Sequence, residues 1–233
     1  MNTESENSLK NKKCIYDISK FSHLDYPDHL ASIFWFSGCN MRCDFCYNKD
    51  IVFAKEGNYT LEDALAFLKT RRGLLDAVVL SGGEASSYEL TDFCKEIKKL
   101  GFLIKLDTNG TNYLHVKRLI DLDLLDFVAL DYKAPQYKFT QITHANKYHE
   151  FSKTLDLLLQ SNIAFEVRTT LHADLLSSDD INFILEDLKT KGYSKNYYIQ
   201  EFLDTQNTLG NMKKPSKPFD KSLLRSTFPI IWR

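Results

Sequence analysis

Residues 33–48 read Ile33-Phe34-Trp35-Phe36-Ser37-Gly38-Cys39-Asn40-Met41-Arg42-Cys43-Asp44-Phe45-Cys46-Tyr47-Asn48. The four apolar residues Ile33–Phe36 predict a short buried strand. A glycine follows, then three cysteines spaced C-x-x-x-C-x-x-C. Such a loop offers three soft thiolate ligands, which suit iron–sulfur clusters, zinc or copper. Three thiolates can hold three irons of a four-iron cubane and leave the fourth without a protein ligand. An open metal position can bind a substrate, whereas closed sites are structural or carry electrons. Zinc is the alternative. It wants a fourth Cys or His, which His23 or His29 could supply.

The other two cysteines do not extend the set. Cys94 falls on an apolar helical stripe and reads as a core residue, and Cys14 as a free thiol. An odd total of five, with no export signal, argues against a disulfide framework. The chain has 233 residues, enough for one barrel or one well-filled domain. At 43% hydrophobic and 26% charged it has ordinary globular composition. A net charge of −1 points to neither nucleic acid nor an anionic membrane as partner. The polar segment 1–13 lacks the apolar core of a signal peptide, and no apolar run reaches membrane-spanning length. The expectation is a cytoplasmic protein.

Downstream, strands and helices alternate. Strands are predicted at 77–80, 102–106, 127–130, 163–169 and 197–202. Between them lie helical stripes. One starts at Thr60-Leu61-Glu62-Asp63, another at 177–180, both with the Ser/Thr-x-x-acid form of a helix start. Strands alternating with amphipathic helices indicate a parallel sheet with crossover helices. Six units point to an α/β fold, a partial, open six-unit β/α barrel, with a doubly wound sheet as rival. Three segments are expected: residues 1–22 a tail and lead-in, 23–204 the barrel, and 205–233 a C-terminal arm. No linker divides the chain.

Several short motifs occur in a fixed order. They are Leu24-Asp25-Tyr26-Pro27, Phe36-Ser37-Gly38-Cys39-Asn40, Ser81-Gly82-Gly83-Glu84, Lys105-Leu106-Asp107-Thr108-Asn109-Gly110, Asp131-Tyr132-Lys133-Ala134-Pro135 and Arg168-Thr169-Thr170. With Phe45 as the aromatic of C-x-x-x-C-x-aromatic-C, the chain resembles the radical S-adenosylmethionine (SAM) superfamily, which has the partial-barrel fold. From about Leu24 to Phe202 it resembles the activating proteins of anaerobic ribonucleoside-triphosphate reductase, a glycyl-radical enzyme.

The resemblance implies that Cys39, Cys43 and Cys46 hold one [4Fe-4S] cluster, and that SAM chelates the open iron. Gly82-Gly83 would let the backbone approach SAM, with Glu84 facing its ammonium. Asp107, Thr108 and Asp131 would hold a monovalent cation, with Lys133 and Arg168 near SAM. Phe45 and Tyr47 would pack on adenine or shield the cluster. In parallel α/β folds ligands bind beyond the C-terminal strand ends, which is where these residues fall. Each has a plainer reading: Gly-Gly-Glu as a tight turn, Asp and Asn-Gly as turn formers, Lys133 as a solvated charge. The sequence departs from the family in three places. Tyr47 stands where His is usual, Ala85 where Pro is common, and Asn207 where related activases place a His shortly before a late Leu-Gly.

The implied activity is oxidoreductase chemistry. An electron from a donor such as flavodoxin or ferredoxin passes through the cluster to SAM, whose S–C5′ bond breaks. The resulting 5′-deoxyadenosyl radical takes hydrogen from a glycine of the partner enzyme. No side chain acts as acid, base or nucleophile. The alternatives are another glycyl-radical enzyme as partner, a small molecule such as a deazapurine or a peptide precursor as substrate, or a non-catalytic metal-binding module.

Overall fold

Apolar runs separated by helical stripes become strands of one mixed sheet. The computed structural model describes residues 12–205 and 207–233; residues 1–11 of the expected tail lie outside the described residues. The strands are β1 (Ile15–Ser22), β2 (Ala31–Phe36), β3 (Ala77–Gly82), β4 (Leu103–Thr108), β5 (Phe127–Asp131), β6 (Ala164–Leu171), β7 (Tyr197–Glu201) and β8 (Ile230–Trp232). The helices are α1 (Lys49–Phe53), α2 (Leu61–Lys69), α3 (Thr91–Lys99), α4 (Tyr113–Asp121), α5 (Gln136–Thr143), α6 (Tyr148–Gln160) and α7 (Ser178–Thr190). The sheet orders its strands as the chain does, β1 to β8, so it is open with β1 and β8 as edges.

The fold is the open α/β arrangement anticipated, with eight strands among the described residues where six were expected. The six predicted strands are β2 to β7. The two additions are the edges. β1 runs antiparallel to β2, and its sequence Ile15-Tyr16-Asp17-Ile18-Ser19-Lys20-Phe21-Ser22 is broken by register shifts, so it shows no clean alternation. β8 has three residues, too few for any periodic signal. Short helices α1 and α5 were likewise missed.

The chain forms two compact units. The first takes the chain up to Asn40, Asp50–Thr108 and Leu114–Val128; the second takes Met41–Lys49, Asn109–Tyr113 and Ala129–Arg233. The boundaries fall inside loops, strands and helices with no change of composition, which is why no linker was legible.

In the first unit β2 and β3 pair in parallel from Ala31↔Ala77 to Phe36↔Gly82, and β3 and β4 from Ala77↔Leu103 to Leu80↔Leu106. Both faces of these strands are buried, as crossover helices require. One face packs Tyr26, Ile33 and Val79 against Trp35, Leu103 and Phe127. On β2, Phe34 meets Phe67 of α2 and Phe93 of α3 at 6.4 and 6.1 Å between ring centroids. Helix α2 opens on a full capping box, Thr60 accepting from the Asp63 N–H and Asp63 from the Thr60 N–H. A cap of this kind contributes about 1 kcal/mol.

In the second unit β6, β7 and β8 are parallel neighbours. An aromatic cluster of Tyr132, Phe139, Tyr148 and Phe151 fills the space between α5 and α6. Ser177 and Asp180 form a second capping box at α7. The expected C-terminal arm is tied down at its end. Arg233 binds Glu166 through two N–H···O contacts of 3.1 and 3.0 Å and lies 3.7 Å over the Tyr198 ring.

Candidate functional site

The cysteine loop leaves β2 at Ser37, and its entry is held by the end of β3. The Gly38 carbonyl accepts from the Glu84 N–H at 2.9 Å, the Phe36 carbonyl from the Gly83 N–H at 2.9 Å, and the Ser37 carbonyl from the Tyr88 hydroxyl at 2.7 Å. Gly83 is confined by this approach: a Cβ there would lie 1.9 Å from the Gly38 carbonyl oxygen. At Gly82 a Cβ would lie 2.3 Å from the Phe36 nitrogen, and φ is +115°. The two glycines therefore let the backbone approach the loop that carries Cys39. Sequence reasoning had assigned that freedom to a ligand.

Within the second unit the rest of the loop is strapped on two sides. The Arg42 and Asp44 N–H groups donate to the carbonyls of Thr143 and Ile142 at the end of α5, at 2.8 and 3.1 Å. His144 Nε2 lies 2.8 Å from Asp44 Oδ1. From the other side, the Leu209 and Gly210 N–H groups donate to the carbonyls of Cys46 and Asp44, at 2.9 and 2.8 Å. Thr208, fully buried, closes this turn through the Asn211 and Met212 N–H groups. Cys43 is buried, while Cys39 and Cys46 are half-buried. None of the five cysteines is in a disulfide. Burial pushes the thiols of Cys14 and Cys94 up, to about 11 and about 12, so both stay protonated at neutral pH.

Glu84 is 2% exposed, and Oε1 accepts from the Ser86 N–H, the Ser86 hydroxyl and the Thr108 hydroxyl at 3.1, 2.5 and 2.8 Å. It caps the short 3-10 turn Ala85–Ser87. Thr108 and Asp107 are the last residues of β4. Asp107 takes the Lys105 ammonium on Oδ1 at 2.6 Å and the Ser81 hydroxyl on Oδ2 at 3.1 Å.

Asp131 ends β5 and receives two cations. Arg168 Nε, from within β6, meets Oδ1 at 2.5 Å, and Lys133 Nζ meets Oδ2 at 2.9 Å. Burial works to raise the Asp131 pKa, but Arg168 and Lys133 outweigh it and hold the carboxyl well below the usual range. For Lys133 burial works downward, and the Asp131 carboxylate beside it outweighs this, so the ammonium is held above an ordinary lysine. Lys133 Nζ also lies 5.6 Å from the centroid of the Phe45 ring, which is buried. Tyr47 is 51% exposed, and Asn207 is exposed.

Residues 33–179 match the Radical SAM superfamily. Over 178 residues the chain is 31% identical to the pyruvate formate-lyase 1-activating enzyme of Escherichia coli, covering 71% of this chain and 70% of that protein. The chain belongs to the radical SAM superfamily, in its family of glycyl-radical enzyme activating enzymes. It is also 29% identical over 201 residues to a protein of Methanocaldococcus jannaschii assigned by name to these activases, covering 82% of this chain and 80% of that one. Solved radical SAM structures share the fold. SuiB of Streptococcus suis bound to S-adenosylmethionine superposes with a TM-score of 0.65 at 11% identity, covering 86% of this chain and 51% of that one. For anSMEcpe with bound AdoMet the TM-score is 0.59 at 17% identity, covering 72% of this chain and 50% of that one. The chain spans about half the length of these two solved chains.

The radical SAM family implies a [4Fe-4S] cluster and SAM. The donor set of the loop fits an iron–sulfur group: three thiols, no disulfide, and a strapped backbone. Ser37 Oγ, two residues before Cys39, is buried with no hydrogen-bond partner among the described residues, so a sulfur acceptor there would satisfy it. Among the described residues, no three His, Cys, Asp or Glu side chains converge as the ligands of a single metal ion do.

Sequence reasoning missed several residues of this activase. Lys105 was quoted within a motif and given no role. Its signal was a lone charge inside Leu103-Ile104-Lys105-Leu106, where both neighbours are apolar. Ser81 and His144 carried no local signal, because their partners lie 26 and 100 residues away.

Proposed function

We propose that this activase generates the glycyl radical of an anaerobic ribonucleoside-triphosphate reductase by reductive cleavage of SAM. The observation that carries the reading is the strapped three-cysteine loop at the end of β2, on a chain of the activase family. Bound at that loop, a [4Fe-4S] cluster with SAM supplies the one-electron chemistry that yields a 5′-deoxyadenosyl radical and removes hydrogen from a glycine Cα.

The chain's own part is to hold and orient. Cys39, Cys43 and Cys46 are the cluster ligands of this reading. Lys133 and Arg168, both held on Asp131, are the cationic groups that this reading places near the carboxylate of SAM. The Phe45 ring beneath Lys133 offers a face for adenine or a cover for the cluster. Glu84 keeps β3 and β4 in place through Ser86 and Thr108, and its carboxylate is the group this reading turns toward the SAM ammonium. Tyr47, exposed on the loop, and Asn207 stand where the family's usual contacts differ. The electron donor is a flavodoxin or ferredoxin, and the work takes place in the cytoplasm.

A second reading is favoured by the similarity to the pyruvate formate-lyase 1-activating enzyme: the partner is a glycyl-radical enzyme of the formate-lyase kind. The test is anaerobic reconstitution with iron and sulfide, reduction with dithionite, and assay of 5′-deoxyadenosine with each partner. A glycyl-type radical signal that appears only with the reductase supports the first reading. A signal only with the lyase transfers the assignment. No 5′-deoxyadenosine under any condition refutes both.

A further inference from the structure

The family resemblance implies a monovalent cation on Asp107, Thr108 and Asp131, and these residues do not fit one. Asp107 already carries an ammonium. Lys105 Nζ lies 2.6 Å from Oδ1, and the Ser81 hydroxyl donates to Oδ2 at 3.1 Å. The pair is taken out of water, with the Lys105 side chain 3% exposed and Asp107 11%. Thr108, whose hydroxyl donates to Glu84 Oε1 at 2.8 Å, is neutral and adds no negative charge. Asp131 has a guanidinium on one oxygen and an ammonium on the other. A potassium or sodium ion at Asp107 would sit beside a buried ammonium. At Asp131 it would face a guanidinium and an ammonium already bound to the two carboxylate oxygens. Like charges repel strongly where water is excluded, and neither carboxylate has negative charge left to offset that repulsion.

We infer that the Lys105 ammonium, clamped on Asp107, is a built-in counter-ion that takes the place of the monovalent cation, so that SAM binding by this protein needs neither potassium nor sodium. Lys105 is here a positioning residue. It fixes the Asp107 carboxylate at the end of β4 and supplies the positive charge from within the chain. The inference deepens the SAM reading and rests on it only for its SAM arm. The charge balance at Asp107 can be read without SAM.

The experiment uses the full chain, desalted into tetramethylammonium chloride. Thallium NMR of the wild type, without SAM, reads direct occupancy of any monovalent-cation site. The expected result is no saturable broadening of the thallium signal. In parallel, SAM affinity and 5′-deoxyadenosine formation by the reconstituted enzyme are compared in potassium, sodium and tetramethylammonium chloride at equal ionic strength. Both are expected to change by less than about twofold across the three salts. Lys105→Ala removes the ammonium and leaves Asp107 charged. It is expected to gain a saturable thallium site and a potassium requirement of about tenfold or more in SAM affinity, while Lys105→Arg keeps the wild-type indifference.

Saturable thallium binding by the wild type, or a saturable potassium activation of about tenfold, overturns the inference whether or not Lys105→Ala folds. If SAM fails to bind in every salt, the SAM reading fails. The thallium result then still decides for or against the built-in counter-ion.

Discussion

The backbone N–H of Leu209 donates to the carbonyl of Cys46 at 2.9 Å, so a segment more than 160 residues downstream is pinned to the last cysteine of the metal loop. Gly210 makes the approach possible: a Cβ there would lie 2.7 Å from Asp44 Cβ. Gly210→Val is expected to push the segment off the loop at a cost of about 1–3 kcal/mol in stability. The reconstituted variant should lose iron to a chelator faster than the wild type while its far-UV circular dichroism stays unchanged. Equal iron loss would mean that the pinning does not support the metal loop.

Replacing Cys39, Cys43 or Cys46 by Ala should each abolish iron retention and reductive SAM cleavage, because a three-ligand cluster has no spare protein ligand. Cys94→Ala should retain both. Its thiol is fully buried on α3 and pushed up to about 12, so the change removes only a small buried group, about 1 kcal/mol. Iron content per chain and 5′-deoxyadenosine yield separate the two outcomes. A cluster lost from Cys94→Ala and kept by Cys43→Ala would reverse the ligand assignment.

Gly83→Ala should be among the most disruptive single methyl additions in the first unit. Its Cβ would lie 1.9 Å from the Gly38 carbonyl oxygen and 2.5 Å from the Gly38 carbonyl carbon, both backbone atoms with no rotamer to yield. Overpacking of this kind costs about 3 kcal/mol or more. The urea midpoint of the metal-free protein measures it. An unchanged midpoint would show that the β3 end is not held against the loop.

Asp131→Asn removes the anion between Lys133 and Arg168 and leaves two largely buried cations facing each other. A loss of about 3 kcal/mol is expected, because two largely buried cations lose the anion they share. Lys133→Met should cost less, since Arg168 still balances Asp131. Equal losses in the two variants would contradict this charge arrangement.

Asp180 links pH to stability at the start of α7. It accepts from the Ser177 N–H at 2.7 Å, the Tyr137 hydroxyl at 2.6 Å and the Lys138 ammonium at 2.7 Å. Burial works to raise its pKa, and these donors outweigh it and lower the pKa below the ordinary aspartate value. A carboxyl lowered on folding contributes stability in full above its unfolded pKa, about 3.9, and loses it as pH falls through the folded value. Asp180→Asn should therefore be less stable than the wild type at pH 7, by about 2 kcal/mol. The gap should narrow as pH falls through the acid range. Urea midpoints at a series of pH values read both; a gap that widened in acid would rule out the ionised Asp180.

The three-cysteine loop and the parallel core were legible in the sequence because both depend on short-range pattern. Thiolate spacing is a property of eight consecutive residues, Cys39–Cys46. A parallel strand buried on both faces must be a continuous apolar run, and Ile33–Phe36 and Ala77–Leu80 are such runs. The caps at Thr60 and Ser177 close over three residues and could be read for the same reason. What the tertiary structure alone decided is which polar groups meet. Arg168 on Asp131 and Leu209 on Cys46 are set by strand register and chain return, which no local pattern encodes, whereas Lys105 and Asp107, two apart on β4, share one face of the strand. The same holds for Gly83, whose need for a missing side chain appears only once Gly38 is placed against it. A buried charge must find its partner wherever the fold brings one, and the distance along the chain is then no guide.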